Sequence, residues 1–186
     1  MQEQHDPFAW VSALANTYSG VSDGTRFGFE GYEVATNGCI LIARKGVPDG
    51  IAPAPHSLAH AAKEFLSIEG EFYRVSGRDL AEWAGEPIQT LSKGGGYFCS
   101  ECGEHNVIEP EYSPCRDGWL FGVPIDRRYA WIVSLLMSGD LDGEITVAVP
   151  VPGDGSPFVL RGYGWWSAIM PLRPADESAP RLGDPA

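Results

Sequence analysis

The chain is short of positive charge. Thirteen Lys and Arg stand against 25 Asp and Glu in 186 residues, a formal net charge of −12. A simple nucleic-acid coat would be basic overall, so this balance argues against one. An acidic protein can still present one local basic face. Cysteine is also scarce, with four residues. Three of them, Cys99, Cys102 and Cys115, are clustered, which argues against a disulfide framework and fits a cytoplasmic chain. No apolar run is long enough to cross a bilayer, and the opening "MQEQHDPFAW" has neither the basic nor the apolar region of a signal peptide. No membrane association is expected.

Catalytic signatures are missing as well. "GGG" at 94–96 lacks the Lys-Ser/Thr of a phosphate loop, and "GDGS" at 153–156 reads as a turn between strands. "RDLAEW" at 78–83 offers acids on a short helix without partners, and the four histidines share no spacing. A noncatalytic protein is expected.

What is present is a globular composition, 44% hydrophobic and 20% charged, with ordered flanks around an irregular middle. Residues 7–18 read as an amphipathic helix, with Asp6 as N-cap and Pro7 at the first helical position, where its missing N–H costs nothing. Residues 26–46 read as strand, turn at Glu30-Gly31, strand, tight turn at Asn37-Gly38, strand; Asn-Gly is the strongest short hairpin signal. From Val47 the texture becomes Pro- and Gly-rich. Helices at 57–67 (capped by Ser57) and 78–84 (ended by Gly85) flank a strand at 71–77. Order of the first kind returns at 119–139. There a strand leads to Pro124, and a helix from about Asp126 presents Tyr129, Ile132, Val133, Leu136 and Met137 on one face. Strands at 143–151, 157–162 and 164–173 follow. The last of these, "GWWSAIMPLR", holds a proline that would cost a ladder hydrogen bond. The tail from 175 lacks apolar content and reads as disordered.

Both flanks therefore share one plan, a helix followed by antiparallel strands. This predicts an α+β domain of two helix-plus-antiparallel-sheet halves with the helices on one face. The halves are 1–46 and 119–174, an insertion occupies 47–118, and 175–186 is the tail.

Inside the insertion, 97–118 reads as a small zinc-binding subdomain. Cys99-x-x-Cys102 is a knuckle spacing, and "SPCRDG" resembles a second knuckle that keeps only Cys115. Tetrahedral structural Zn2+ needs four ligands, and the nearest fourth is His105. Asp117, His56 and His60 are weaker alternatives, and reduced structural thiols or a redox dithiol fit the same residues less well. Cys39 lies in the hairpin and reads as a small apolar residue. Acidic side chains dominate 99–117, which suits protein contact or stability better than phosphate binding.

Three stretches together resemble the bacterial DNA polymerase sliding clamp (β clamp) family. "VATNGCILIA" at 34–43 is similar to the clamp's "ATDGHRLA". "VPIDRRYAWIVSLL" at 123–136 resembles its strand–Pro–helix step. "EITVAVPVPGDGSPFVLRG…WWSAIMPLR" resembles the end of its last domain, with "MPLR" where clamps show "MPMRL". Asn37, Cys39 and Ile40 replace the usual Asp, His and Arg, and a clamp subunit has three such domains where this chain has room for one. The resemblance implies a DNA-clamp-like domain and a noncatalytic platform in DNA replication or its regulation, with a phage or mobile element as one setting. It implies a pocket for short apolar clamp-binding peptides at Thr36, Leu41, Ile169, Met170 and Pro171. It also implies contact with double-stranded DNA, for which Arg127 and Arg128 are the candidates, and a homo-oligomer if a ring is to close. The alternative is a monomeric, zinc-stabilised interaction or regulatory protein that keeps the clamp-like fold without clamp activity.

Overall fold

The computed structural model describes residues 6–15, 26–68, 72–85, 97–98, 105–106, 117–137, 141–150, 156–171 and 178–183. Helix α1 (Pro7–Ala15) starts where the sequence predicts. The Asp6 carboxylate accepts the Phe8 N–H at 3.1 Å, and the Asp6 carbonyl accepts Ala9 and Trp10. Residues 16–18, the rest of the predicted helix, lie outside the described residues.

Three strands follow: β1 (Phe27–Phe29), β2 (Tyr32–Thr36) and β3 (Ile40–Lys45). Glu30 and Gly31 both take positive φ, 46° and 83°, the mirror-image turn that matches strand twist. The Asn37-Gly38 turn differs from its prediction. Its loop has three residues, 37–39, and only Gly38 takes positive φ, 87°. Asn37 acts through its side chain, whose Oδ1 accepts the N–H groups of Cys39 at 3.0 Å and Ile40 at 2.9 Å, an Asx-type turn.

Helix α2 (His56–Leu66) begins one residue before its predicted start, after Pro55, with no side-chain cap. Ser57 is therefore not its N-cap. Strand β4 (Phe72–Ser76) leads into α3 (Gly77–Ala84), where Ser76 caps by accepting the Asp79 N–H and Gly85 ends the helix at φ 65°. Short strands β5 (Tyr97–Phe98) and β6 (His105–Asn106) pair with each other. Strands β7 (Asp117–Leu120) and β8 (Val123–Asp126) form a hairpin that feeds α4 (Arg127–Leu136). Strands β9 (Glu144–Ala148), β10 (Phe158–Gly162) and β11 (Trp165–Ile169) complete the second half, and β12 (Arg181–Leu182) comes last.

The main sheet runs β1-β2-β3-β11-β10-β9-β4, with antiparallel pairing throughout. The two predicted meanders thus meet side by side at β3 and β11. Three features depart from expectation. First, the helices of the two halves, α1 and α4, share one face as expected, but a helix of the insertion, α2, covers the other. Apolar residues of α1, α3 and α4 join Ile40, Ile42, Ile145, Val147, Phe158, Leu160 and Ile169 in one core. Helix α2 packs Leu58, Ala59, Ala62, Phe65 and Leu66 on the other face, over Val34, Leu41, Ala43, Val159, Trp166 and Ala168. Alternation along each strand gives both faces something apolar to bury. Second, β4 and α3 fall inside 47–118, yet β4 is the seventh strand, paired with β9 from Phe72↔Ala148 to Ser76↔Glu144. Third, part of the tail is ordered: β12 lies parallel to β7, and Ala179 is buried.

Candidate protein-binding site

The end of the β2–β3 hairpin and the end of β11 form one rim of the sheet. Register places Thr36 opposite Leu41, Leu41 opposite Ala168, and Ile40 opposite Ile169. Beyond Ile169 the pairing stops, and the Met170 N–H closes the rim on the Cys39 carbonyl at 2.8 Å. Pro171 comes one residue after this last bond, so the proline costs the ladder nothing. Met170 and Pro171 stay partly exposed. The rim is fixed by side chains: Thr36 Oγ1 donates to the Ile40 carbonyl at 2.8 Å and accepts the Gly38 N–H at 3.1 Å. Asn37 Nδ2 is buried with no hydrogen-bond partner among the described residues, a standing cost of about 1–3 kcal/mol for a group of this kind.

The structure thus gathers Thr36, Leu41, Ile169, Met170 and Pro171 at one end of the sheet, but it does not line one concavity with them. Thr36 and Leu41 point to the α2 face, and Ile169 points to the α1/α4 face, because neighbouring register positions alternate. Leu41 and Ile169 are buried at 3% and 0% exposure. A cavity of about 220 Å³ does exist at the opposite end of the β10–β11 hairpin, where Leu136, Met137, Ile145, Tyr163 and Trp165 contribute to its lining. It includes none of the five.

Arg127 and Arg128 stand elsewhere than a phosphate contact requires. Both are buried, at 5% and 6% exposure. Asp126 is the N-cap of α4: its Oδ1 accepts the Arg128 N–H at 2.9 Å, its two oxygens accept Arg128 Nε at 2.9 and 3.0 Å, and Oδ2 also accepts from Nη2. Arg127 folds back on the last turn of α3, where Nε and Nη2 donate to the Trp83 carbonyl at 3.0 and 2.8 Å. Gly118 on β7 makes the space, since a Cβ there would sit 2.6 Å from both Arg127 Cγ and Trp83 Cζ2. Arg127 ties α4 to α3 beside β7, and Arg128 is held by the N-cap of its own helix, so both guanidiniums are buried in this arrangement. On helices α1, α3 and α4 themselves the remaining described cation is Arg78, which is exposed and paired with Asp142 at 2.6 Å, while Arg26 and Arg44 lie over the Phe8 ring of α1 and pair with Glu33. The Asp142 hydrogen bond and charge raise the Arg78 pKa above its ordinary value.

Cys99, Cys102 and Cys115 lie outside the described residues. His105 belongs to β6, with Phe98 as its pairing partner. Among the described residues no group of three His, Cys, Asp or Glu side chains could hold a metal. Cys39 is a free, half-buried thiol packed on the main core.

Asn37 was missed as a rim residue, although an Asn opening a turn before Gly carries the signal, since its side chain readily accepts from the backbone two residues on. Arg161 was missed altogether: on β10 it donates from Nη2 to the Leu66 and Ile68 carbonyls at 2.9 and 3.3 Å, tethering the end of α2.

No protein-family model matches the sequence, and no curated protein does. Among solved structures the chain is similar to a crystal structure of the C. crescentus β sliding clamp with PEG bound, at 14% identity and a TM-score of 0.43, over 91% of this chain and 65% of that one. The chain therefore corresponds to just under two thirds of that clamp's length, and no site residue is carried over from it.

Proposed function

We propose that this chain is a noncatalytic, sliding-clamp-like platform that binds other proteins in DNA replication or its regulation. The observation that carries the reading is the junction of the two half-domains at the Met170–Cys39 hydrogen bond. It brings together "ATNGCIL" and "AIMP", parts of the two stretches whose sequences resemble the clamp's peptide-binding segments, and leaves Met170 and Pro171 at the surface. A flexible, polarizable methionine beside a rigid proline suits an apolar peptide anchor of varied shape. Thr36 and Leu41 support that rim from within and Ile169 anchors it from the other face.

Protein partners are favoured over duplex DNA. A phosphate-lining layer needs cations with free guanidinium or ammonium groups. On the described side opposite α2, Arg127 and Arg128 are buried against Trp83 and Asp126, and Arg78, Arg26 and Arg44 are paired with Asp142 and Glu33. The second reading, a monomeric interaction or regulatory protein of clamp-like fold, is favoured by α2, which covers the second face of the sheet. For the cysteine segment we propose structural Zn2+ held by Cys99, Cys102, His105 and Cys115, in a cytoplasmic protein.

Solution mass separates the readings. A ring-sized assembly that binds duplex DNA supports an encircling clamp, and a strict monomer without DNA affinity ends the ring. A labelled generic clamp-binding peptide should bind the folded chain and lose about tenfold in affinity, near 1.4 kcal/mol, on Met170→Ala. Metal analysis of the chain and of Cys99→Ser should give bound zinc in the first and its loss in the second; a metal-free, fully folded chain ends the zinc proposal.

A further inference from the structure

The tail from 175, read from composition as structureless, supplies an extended peptide to its own fold. Strand β12 runs parallel to β7, with Arg181 opposite Trp119 and Leu182 opposite Leu120. Alternate N–H groups of the β7 edge hold it: Trp119 donates to the Pro180 carbonyl at 2.8 Å, and Phe121 to the Leu182 carbonyl at 2.9 Å. Side chains add selectivity at each position. Ala179 is buried at 8% exposure. The Arg181 guanidinium lies 4.9 Å from the centre of the Trp119 ring, a cation–π distance. Leu182 packs on the main core. Gly183 takes φ +72°, and a Cβ there would run into the Phe121 ring, so no other residue fits without displacing that ring. Phe121 is itself held, stacked on Tyr73 at 4.7 Å.

This is the chemistry of strand addition, in which main-chain bonds supply affinity and pockets for alternate side chains supply specificity. We infer that the edge of β7, between Trp119 and Phe121, is a peptide-binding groove for an extended Ala-Pro-Arg-Leu-Gly segment, whose resident ligand is the chain's own 179–183 and is exchangeable for the same segment of a second copy. The pattern of exposure fits exchange: Ser178, Pro180, Arg181 and Gly183 face solvent, and burial is concentrated at Ala179 and, in part, Leu182. The groove stands on the β7–β8 hairpin, separate from the Met170 rim, and its occupancy does not depend on the clamp-like reading.

The test uses the full chain and a fluorescein-labelled peptide of residues 176–186, DESAPRLGDPA, followed by anisotropy. Leu182→Asp empties the groove in the full chain. That variant, folded by circular dichroism, should bind the wild-type peptide saturably, and the wild-type chain should bind it at least about tenfold more weakly because its own segment competes. Peptides carrying Leu182→Ala or Gly183→Val should bind the Leu182→Asp chain at least about tenfold more weakly than the wild-type peptide. A folded Leu182→Asp chain that ignores the peptide overturns the proposal, as does a wild-type chain that binds it equally well. Gly183→Val in the full chain is the second variant. If both variants lose the native circular dichroism, the segment is an integral strand and exchange is overturned.

Discussion

The two faces of the seven-stranded sheet are built on different terms. On one face α1, α3 and α4 bring large side chains into one core, with Phe8, Trp10, Ile132 and Phe158 all at 1% exposure or less. Eight consecutive residues of α4, Arg127 to Ser134, are buried, so this helix lies inside the protein. On the other face α2 buries fully only Ala62. It rests on a seat of small residues, Ala43, Ala148 and Ala168, rimmed by Phe27, Phe29 and Trp166. The first face determines whether the chain folds, and the second is a cover held by shape and by one arginine. A surface that must meet partners is more easily built over such a cover than over a buried helix.

Substitutions can break or sharpen this contrast. The largest effect is expected from Trp10→Ala, which removes a ring packed edge-on to Trp131 at a centroid distance of 5.0 Å. A buried aromatic truncation costs about 3–5 kcal/mol, and urea unfolding should show the loss as a lower midpoint of the whole cooperative transition. Next is Ala62→Leu, which forces added volume between α2 and the alanine seat. Overpacking costs about 1–3 kcal/mol; hydrogen exchange should show α2 losing protection before α4, and equal losses in both would erase the distinction between cover and core. The smallest is Arg161→Met, which keeps the stem over the sheet and removes the bonds to the Leu66 and Ile68 carbonyls. A cost near 1.5 kcal/mol is expected, read as faster exchange confined to the last turn of α2.

Much of the first face was legible in the sequence. Asp6 before Pro7, the turn at Glu30-Gly31, and the 3.6-residue spacing along 129–137 are local signals that packing did not override. The less legible parts depend on what meets what in space. Nothing in "HSLAHAAKEFL" says which face of a sheet it will cover. Arg127 and Arg128 looked like surface cations because arginine at a helix start usually is one; a preceding Asp that caps and pairs at once, with a glycine opposite, reverses that. The Asn37-Gly38 dipeptide announced a turn correctly but not its length, since the Asn side chain replaced the second left-handed residue. The tail misled because composition averages over it, while two apolar side chains, Ala179 and Leu182, are enough to seat it on β7. At the candidate site the sequence named five residues that the fold gathers at one end of the sheet, without foretelling that Leu41 and Ile169 turn to opposite faces.

The central claim is that the joined rim of the two half-domains is the surface on which a partner peptide docks. The most direct measurement is residue-level NMR of the 15N-labelled chain during titration with a generic clamp-binding peptide. The account predicts saturable amide shifts concentrated at Gly38, Cys39, Ile40, Ile169 and Met170, with Met170→Ala needing about tenfold more peptide to reach the same shifts. A folded chain that shows no shifts, or shifts clustered around Leu136, Ile145 and Trp165 at the other end of the sheet, would contradict it.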